Sequence, residues 1–557
     1  MAALASMLAL ASCDDFLSTE DLTRKNSSNF PTTEDDAQQA LTGCYTMLRF
    51  INSGNEAKHP LIVSEILSDE RFGGGGPDDV FLHNVDHLTA YNNNMFDEMW
   101  SNGYTGVHRC NQLIEQISQI AWASDANRKK VDGETHFLRA YFYLNLVRFF
   151  GNIPLITTSL SDNPAQASAD DVYALIASDL LTAINELPAT AATSIPTSEL
   201  GHANKWAAEA LLGRAYLFYT GYYDKESLKA ADGTVLDNAK VAAYLKDCID
   251  HSGYKLMPDF RNLWPYSNSY TKPDYAYSKD NNLSWYGEGG TNLETIFAIM
   301  YSSKASWGNG LACINNQVDL FFSPRESDGN LENNFPLGTG WGAGTVSPKM
   351  ITDWKAYEAK DPRIDGSVFD VAKEAPNYSW GADKQQDETG LWQKKYCAIT
   401  YKKTSNGETV IENYSRALYP DVNSDYQLNN IQSIMALRFA DVLLMYSELT
   451  QTTDGINQVR ARVGLAPISG YSDKALRNER RFELAFEGER WFDLLRWHQA
   501  AEALSAENGT AIRNNNADSK VDMSGVALRV KETGGFLQIP QAQIDLSNGV
   551  LKQNQGW

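Results

Sequence analysis

Apolar residues recur at helical spacing in two blocks of the chain. In the first block, this spacing predicts helices over 134–150, 170–187 and 204–219. Side chains at i, i+3, i+4 and i+7 share one face of a helix, so each of these segments presents an apolar stripe. Gly221 follows the third segment and is its predicted C-terminal cap, because glycine readily adopts the left-handed conformation found there.

The second block lies near the C-terminus, where the spacing predicts helices over 433–449, 455–463 and 474–500. Helix pairs with short connections thus occur at both ends of the chain, and this arrangement is typical of tetratricopeptide-type stacking. The predicted fold class is therefore mainly α, with a tetratricopeptide-like scaffold of helical pairs.

Between residues 253 and 430 the pattern changes, because Asn, Gly, Ser, Tyr and Trp dominate and the helical period disappears. Short strand-like runs such as 295–301 interrupt long loops. We predict a large irregular, loop-rich subdomain containing short strands here, resting on a helical scaffold formed by 30–252 and 431–557. Long structured loops on a rigid scaffold commonly carry binding sites.

The charge of the chain limits its partners. Across 557 residues the formal net charge is −22, and no basic stripe interrupts it. A field of this sign repels polyphosphate, so it argues against a nucleic-acid partner. Strongly anionic polysaccharides are disfavoured for the same reason, and a neutral ligand fits best.

The first residues resemble a lipoprotein leader. Residues 1–12 form an apolar run of signal-peptide length that is too short to span a bilayer. The run ends in Leu10-Ala11-Ser12-Cys13, which resembles a bacterial lipobox. We therefore predict a signal peptide over 1–12, a single domain over 13–557 and lipidation of Cys13, which would hold the domain on a membrane. The alternative is an ordinary cysteine near a frayed terminus.

The other five cysteines form neither a CxxC pair nor a zinc-like Cys/His cluster. We interpret them as small buried thiols. A disulfide such as Cys44–Cys110 stays open as an alternative.

Ordered motifs run almost from end to end of the sequence. They comprise Cys13-Asp14-Asp15-Phe16-Leu17, Phe30-Pro31-Thr32-Thr33-Glu34-Asp35, Trp100 with Tyr104 and Asn111, Leu138-Arg139-Ala140-Tyr141, Phe150-Gly151-Asn152-Ile153-Pro154, Arg438-Phe439-Ala440-Asp441, Glu479-Arg480-Arg481-x-Glu483-Leu484-x₂-Glu487-Gly488-x-Arg490, and Gln553-Asn554-Gln555-Gly556-Trp557. In this order they resemble the SusD/RagB family of Bacteroidetes outer-membrane lipoproteins.

The resemblance implies a tetratricopeptide-type scaffold with an irregular subdomain. It also implies a lipid-anchored protein on the cell surface, in the outer membrane, that binds a glycan and forms a complex with a SusC-like TonB-dependent transporter. Such a protein is a binding protein and not an enzyme. Peptide capture, as in RagB-like relatives, is the alternative, and a surface glycoside hydrolase is the third hypothesis.

Glu483 and Glu487 are the most enzyme-like carboxylates in the sequence. Their i,i+4 spacing places both on one face of a predicted helix, and glycoside hydrolysis uses two carboxylates, one of them protonated. Arg480 and Arg490 lie one turn before and after them and favour the ionised forms, which opposes a raised pKa. We predict a structural ion-pair ladder here, tied to Arg438 or Glu448, and no catalytic residue.

Two further motifs suggest cofactors only weakly. His83-x₃-His87 with Asp86 has metal-ligand spacing, but the preceding Gly-rich run, 73–76, indicates a loop, and no metal site is predicted. The same run lacks the Gly-Lys-Ser/Thr ending of a phosphate loop. No cofactor is expected, and a structural Ca²⁺ ion at an acidic loop stays open.

A sugar site needs an aromatic plane for the apolar face of the ring and polar side chains for its hydroxyl groups. Two segments of the chain offer that mixture, and both resemble the places where family members display their sugar-binding groups. The predicted ligand-binding residues are Asp69, Arg71, Tyr91 and Asn93 in the first segment and Trp285, Tyr301, Trp307 and Trp341 in the second. For each tryptophan the alternative is a packed core, and for Asp69 and Arg71 it is a local salt bridge. Asp361-Pro362-Arg363 matches a family motif and is interpreted as structural.

Overall fold

The structure is a computed structural model that describes residues 30–50, 59–161, 163–288, 292–309, 315–325 and 331–557. The predicted signal peptide, Cys13 and Cys313 lie outside the described residues. No helix in the described ranges is long and apolar enough to cross a membrane.

The helices of the described residues are α1 (Glu34–Phe50), α2 (Pro60–Ile66), α3 (Val80–Asp86), α4 (Asp97–Gln116), α5 (Asp125–Phe150), α6 (Ala169–Glu186), α7 (Lys205–Tyr222), α8 (Asn238–His251), α9 (Ala276–Asp280), α10 (Val318–Phe321), α11 (Pro348–Tyr357), α12 (Arg363–Ser367), α13 (Val371–Glu374), α14 (Ser415–Leu418), α15 (Phe439–Thr450), α16 (Asp454–Arg462), α17 (Asp473–Glu483), α18 (Arg490–Arg496), α19 (Ala500–Ser505), α20 (Val526–Thr533) and α21 (Gln541–Leu546).

The strands are short and pair two by two in antiparallel ladders. They are β1 (Leu228–Lys229) with β2 (Val235–Leu236), β3 (Thr295–Ile299) with β8 (Ile434–Arg438), β4 (Val368–Asp370) with β5 (Leu391–Gln393), β6 (Thr400–Ser405) with β7 (Glu408–Asn413), and β9 (Ala511–Asn514) with β10 (Ala517–Lys520).

The long helices form one array in which each packs against the next. Helices α4 to α8 follow one another in this way, and α8 then packs against α15, which packs against α16 and α17. The two helical blocks seen in the sequence are therefore neighbours in space, and the chain between them is inserted into one continuous scaffold. The prediction of a mainly α, tetratricopeptide-like fold is confirmed.

Side-chain caps explain where the helices of the first block begin. Ser124, Ser168 and Asn204 precede α5, α6 and α7, and each side chain accepts a hydrogen bond from a backbone N–H of the first turn. These N–H groups have no partner within the helix, so the caps stabilise each start. Because Ser124 caps it, α5 begins at Asp125 and not at residue 134.

Gly221 does not cap α7, and that prediction is wrong. The helix continues through Gly221 to Tyr222. A Cβ atom at Gly221 would lie 2.8 Å from the carbonyl oxygen of Arg496 at the end of α18. The glycine is therefore needed for the close approach of two helices.

Two predicted helices of the second block are broken in the structure. The first residues of 433–449 form strand β8, which pairs with β3, and helix α15 begins only at Phe439. The segment 474–500 ends as a helix at Glu483 and resumes at Arg490. Between them, Phe486 and Gly488 have φ angles of 67° and 87°, which interrupt a right-handed helix.

The inserted chain between α8 and α15 contains the ladders β4–β5 and β6–β7 and the short helices α9 to α14. Its buried apolar residues and those of the scaffold belong largely to one core, which includes Trp206 from α7, Trp264 and Trp392 from the insertion, and Trp491 from α18. Strand pairing between β3 and β8 ties the insertion to the scaffold. The insertion is therefore held rigidly enough to position surface groups.

Candidate functional site

Asp69 and Arg71 are both buried and paired, but only Arg71 forms the local salt bridge of the alternative, because the partners of Asp69 are distant in the sequence. The Asp69 carboxylate accepts hydrogen bonds from Arg490 Nε at 2.7 Å and Nη2 at 2.8 Å, and Arg481 Nη2 lies 3.1 Å away. Burial alone would raise the pKa of Asp69, but the two arginines outweigh it and lower that pKa below its ordinary value. Asp69 is therefore a charged group of the interior.

The Arg71 guanidinium is enclosed by other groups. Its Nε donates to Glu65 Oε2 at 2.6 Å, and its Nη1 donates to the Gly344 carbonyl at 2.7 Å. The rings of Phe322 and Phe486 lie against it at 4.2 and 4.5 Å. This corrects the prediction that Arg71 faces a ligand, because its side chain is buried and pairs with Glu65 inside the fold.

Tyr91 and Asn93 lie on the surface, as the prediction requires. Tyr91 is 51% exposed. The Asn93 carbonyl accepts a hydrogen bond from Gln541 N at 2.8 Å, and Asn94 Oδ1 accepts one from Ala542 N at 2.7 Å. The start of α21 therefore holds this exposed segment in place.

Trp285, Tyr301 and Trp341 are half-buried and pack against the core. Trp285 meets Tyr414 edge-on at 5.5 Å, and Trp341 meets Phe321 in the same way at 4.5 Å. Burial raises the pKa of Tyr301 well above its ordinary value. These contacts favour the packed-core alternative for all three residues.

Trp307 differs from these three because it is 61% exposed, more than any other aromatic side chain in the described ranges. Its indole Nε1 donates to Asp425 Oδ2 at 2.8 Å. The ring is thus open to solvent but held at its edge by a charged acceptor. An aromatic plane in this condition can receive the apolar face of a sugar ring.

Residues 419–427 form the loop that supports Trp307. Lys304 Nζ pairs with Asp421 Oδ2 at 2.8 Å, and Asn423 Nδ2 donates to the Ala305 carbonyl at 3.2 Å. Together with the Trp307–Asp425 bond, these contacts join 304–307 to the loop at three points. We call Trp307 and residues 419–427 the Trp307 surface.

Two exposed tyrosines on this loop were not predicted. Tyr419 is 46% exposed and Tyr426 is 42% exposed. Both lie in a short run rich in Asp and Asn, and an aromatic in such a run was the available signal. They add further aromatic area beside polar side chains, which is the composition that sugar recognition needs.

Glu483 and Glu487 do not share a helical face, since Glu487 lies beyond the end of α17. Glu483 pairs with Arg363, Arg438 and Arg462, and Glu487 pairs with Lys395 and Arg438. Burial would raise the pKa of Glu483, but the three arginines hold that pKa well below its ordinary value.

The predicted ion pair with Arg438 is confirmed. The other partners are Arg363, Arg462 and Lys395, in place of Arg480 and Arg490, which were predicted from their spacing. A carboxylate fixed in its charged form cannot serve as the protonated acid that glycoside hydrolysis requires. The Asp361–Arg363 motif belongs to the same buried network, because Arg363 also donates to Asp361 and Glu479.

His83 and Asp86 of the histidine motif lie on helix α3, and His87 follows its last residue, although a loop was predicted. Both ring nitrogens of His87 contact backbone carbonyls, those of His83 and Asp522, at 2.8 Å. His83 Nδ1 lies 3.2 Å from Asp387 Oδ2. Within the described ranges, no group of three or more His, Cys, Asp or Glu side chains could hold a metal ion. Cys44 and Cys110 are buried free thiols.

The described residues also form concave surfaces away from the Trp307 surface. A cavity of about 660 Å³ beside α4 is lined by Phe30, Gln39, His108 and Gln112, among others. A neighbouring cavity of about 550 Å³ shares His108 and contains Tyr104. Neither includes a residue of the Trp307 surface, so binding at the two places can be separated by mutation.

Comparison with known proteins gives consistent matches across the chain. Residues 276–557 match a family described as the SusD family, and residues 20–217 match one described as starch-binding associating with outer membrane. A SusD-like protein of Bacteroides ovatus is 25% identical over 74% of this chain and 67% of its own. SusD-like protein P38 of Formosa agariphila is 24% identical over 91% of this chain and 92% of its own.

Solved structures show the same fold. A laminarin-binding SusD-like protein aligns with a TM-score of 0.71 and 26% identity, over 94% of this chain and all of its own. The surface glycan-binding protein A of Bacteroides thetaiotaomicron, in complex with laminarihexaose, aligns with a TM-score of 0.71 and 22% identity over the same shares. The second of these similarities concerns the fold alone.

Proposed function

The chain belongs to the SusD family, and from this membership we propose that it binds a neutral glycan on the cell surface through the Trp307 surface. The observation that carries the proposal is the exposed Trp307 ring, fixed by its hydrogen bond to Asp425. A pyranose can pack its C–H face on this ring while its hydroxyl groups bond to nearby Asp, Asn and Gln side chains. The laminarin-binding relative supports a glucan as the first ligand to test.

The net charge of −22 supports a neutral ligand, since it disfavours the approach of anionic polysaccharides. The protein captures its glycan without cutting it. The pairing of Glu483 and Glu487 with basic side chains supports this part of the proposal, because it removes the most enzyme-like carboxylates from consideration.

Delivery is the second part of the proposal. The protein is anchored by a lipid at Cys13 and passes its glycan to a SusC-like TonB-dependent transporter in the outer membrane. The match to an outer-membrane-associated family and the lipobox-like Leu10–Cys13 run support this. A Cys13→Ser variant should leave the membrane fraction and no longer co-purify with the transporter. Continued membrane association of that variant would contradict anchoring at this residue.

The binding test is titration calorimetry with laminarihexaose, maltohexaose, cellohexaose and xylohexaose, using the wild type and Trp307→Ala. We expect saturable binding of at least one oligosaccharide by the wild type and at least about tenfold weaker binding by the variant, since truncation of an aromatic hot spot costs about 2 kcal/mol or more. Tyr270→Ala is the matched control, because Tyr270 is 41% exposed and packs on Tyr401 outside the Trp307 surface.

Each outcome of this test has a definite meaning. Binding that survives Trp307→Ala unchanged would move the site to another surface, such as the cavities beside α4. Failure of the wild type to bind any of the oligosaccharides, together with binding to a peptide pool, would favour peptide capture. New reducing ends after incubation with a bound oligosaccharide would show hydrolysis and overturn the binding-only proposal.

A further inference from the structure

We infer that Asp425 is a positioning residue of the glycan site, which fixes the Trp307 ring before the ligand arrives and need not touch the ligand itself. This inference rests on the proposed function and adds to it a residue that presets the geometry of the site. Asp425 lies 118 positions from Trp307 in the sequence and reaches it only through the fold.

The Asp425 carboxylate uses its two oxygens for two different tasks. Oδ2 accepts the indole N–H of Trp307 at 2.8 Å, and Oδ1 accepts the backbone N–H of Gln427 at 2.9 Å. The first bond orients the ring, and the second closes a turn in the loop that carries Asp425. One side chain therefore couples the shape of the loop to the orientation of the ring.

The loop around Asp425 is itself held in place. The Asp425 N–H donates to Asn423 Oδ1 at 2.9 Å, and the Leu428 N–H donates to the Asp425 carbonyl at 3.0 Å. Asn423 and Asp421 in turn contact the segment that precedes Trp307. Asp425 therefore presents its carboxylate from a defined position, which a positioning role requires.

Fixing the ring in advance has a calculable benefit. An exposed tryptophan without a partner at its edge samples several rotamers and loses that freedom when a sugar packs on it. Immobilising a side chain at an interface costs about 0.5–1.5 kcal/mol, and a charge-assisted hydrogen bond present before binding removes part of that cost. The contribution of Asp425 to affinity should therefore be about threefold to tenfold.

Replacing Asp425 with asparagine separates its hydrogen bond to Trp307 from its hydrogen bond to Gln427. An amide has one acceptor oxygen, whereas the carboxylate accepts with both of its oxygens. In Asp425→Asn, Oδ1 can still accept from Gln427 and preserve the turn, since asparagine forms such turns readily. The amide NH₂ then faces the indole N–H, so two donors meet and Trp307 is released. A neutral ligand avoids any direct effect of the lost charge.

The experiment is a double-mutant cycle on the full chain, with the neutral hexasaccharide that the wild type binds most tightly and titration calorimetry as the measurement. The four proteins are the wild type, Asp425→Asn, Trp307→Phe and the double variant. Phenylalanine keeps an aromatic face but has no N–H to donate. Asp250→Asn is the control, since it removes one carboxylate charge from the exposed pair with Lys246 on α8, outside the Trp307 surface.

We expect Asp425→Asn to weaken binding about threefold to tenfold in the wild type and less than about twofold in the Trp307→Phe background. Asp250→Asn should change the affinity less than about twofold. A residue that only shaped the loop would give the same loss in both backgrounds or none in either, and both results would overturn the inference. A wild type that binds no glycan would instead refute the proposed function, on which the inference depends.

Discussion

Two regions of this protein use carboxylate side chains in opposite ways. Around Glu483, three arginines surround one carboxylate, and the side chains of Glu483 and Arg438 are no more than 1% exposed. On the Trp307 surface, one carboxylate holds one aromatic ring, and that ring is 61% exposed. A carboxylate thus belongs to a buried ion-pair network of the scaffold in one place and supports a solvent-exposed ring in the other.

Burial explains the difference. An ion pair withdrawn from water must be fully satisfied, because an unpaired buried charge is strongly destabilising. An exposed aromatic ring has no such requirement, and its unfilled face is available to a ligand. A motif rich in charges is therefore a poor guide to binding, whereas an exposed and fixed aromatic side chain is a better one. The predictions below test this contrast in order of decreasing effect.

The largest effect is expected from Glu483→Gln in the buried region. The change removes the buried carboxylate charge that Arg363, Arg438 and Arg462 share. We expect the free energy of unfolding to fall by about 3–5 kcal/mol, measured by urea denaturation followed by circular dichroism. A loss below 1 kcal/mol would show that this cluster does not stabilise the scaffold.

In contrast to Glu483→Gln, Trp307→Ala should weaken glycan binding and leave the stability of the fold almost unchanged. We expect at least about tenfold weaker glycan binding with an unfolding free energy within about 0.5 kcal/mol of the wild type. Titration calorimetry and urea denaturation of the same preparation measure the two quantities. A large loss of stability would place Trp307 among the structural residues and remove the contrast between the two regions.

A third prediction concerns pH. Burial raises the pKa of Glu209, next to Lys205 and Asp247, to about 8. An unfolded glutamate has a pKa of about 4.3, so between these values the folded state holds a proton that the unfolded state has released. Stability contributed by this group must then fall as the pH rises from about 4.3 to 8.

Glu209→Gln removes that proton linkage. We expect the unfolding free energy of the variant, minus that of the wild type, to increase steadily from pH 5 to pH 8. Urea denaturation at several pH values measures this difference. Parallel curves for the two proteins would contradict a raised pKa at Glu209.

The smallest effect is expected at an exposed ion pair on the scaffold. Lys246 and Asp250 lie four residues apart on α8, with side chains 47% and 40% exposed. Pairs of this kind contribute at most about 0.5 kcal/mol, so Asp250→Asn should change the unfolding free energy by no more than that. A loss comparable to that of Glu483→Gln would show that burial does not distinguish the two classes of pair.

Much of the fold can be predicted from the sequence, because the position of a helix depends mainly on residues that are close together in the chain. Apolar spacing places α6 and α7 to within a few residues. The break after Glu483 was missed because its cause is distant. The N–H groups of Phe486 and Gly488 donate to Glu70 and Glu65, more than 400 residues earlier in the chain. No local pattern carries that information.

The residues of the candidate site also fall into those that the local sequence predicts and those that only the fold reveals. Trp307 was predicted because a tryptophan in a Gly- and Asn-rich run is hard to explain by packing alone, whereas its partner Asp425 becomes a neighbour only after folding. Asp69 and Arg71 were included because charged side chains near amides and aromatics suit a sugar. The partner of Asp69, Arg490, is 421 positions away, whereas the partner of Arg71, Glu65, lies six positions before it.

The central claim is that glycan packs on Trp307 and not among the buried charges or tryptophans. Selective ¹⁵N labelling of the 13 tryptophan side chains, with the Trp307 indole signal assigned from Trp307→Phe, allows this to be observed directly. On titration with the bound hexasaccharide, the Trp307 indole signal should shift with saturable concentration dependence. The signals of Trp206, Trp264, Trp354, Trp392 and Trp491, which are fully buried, should stay in place. A Trp307 signal that does not move at saturating ligand would contradict the account.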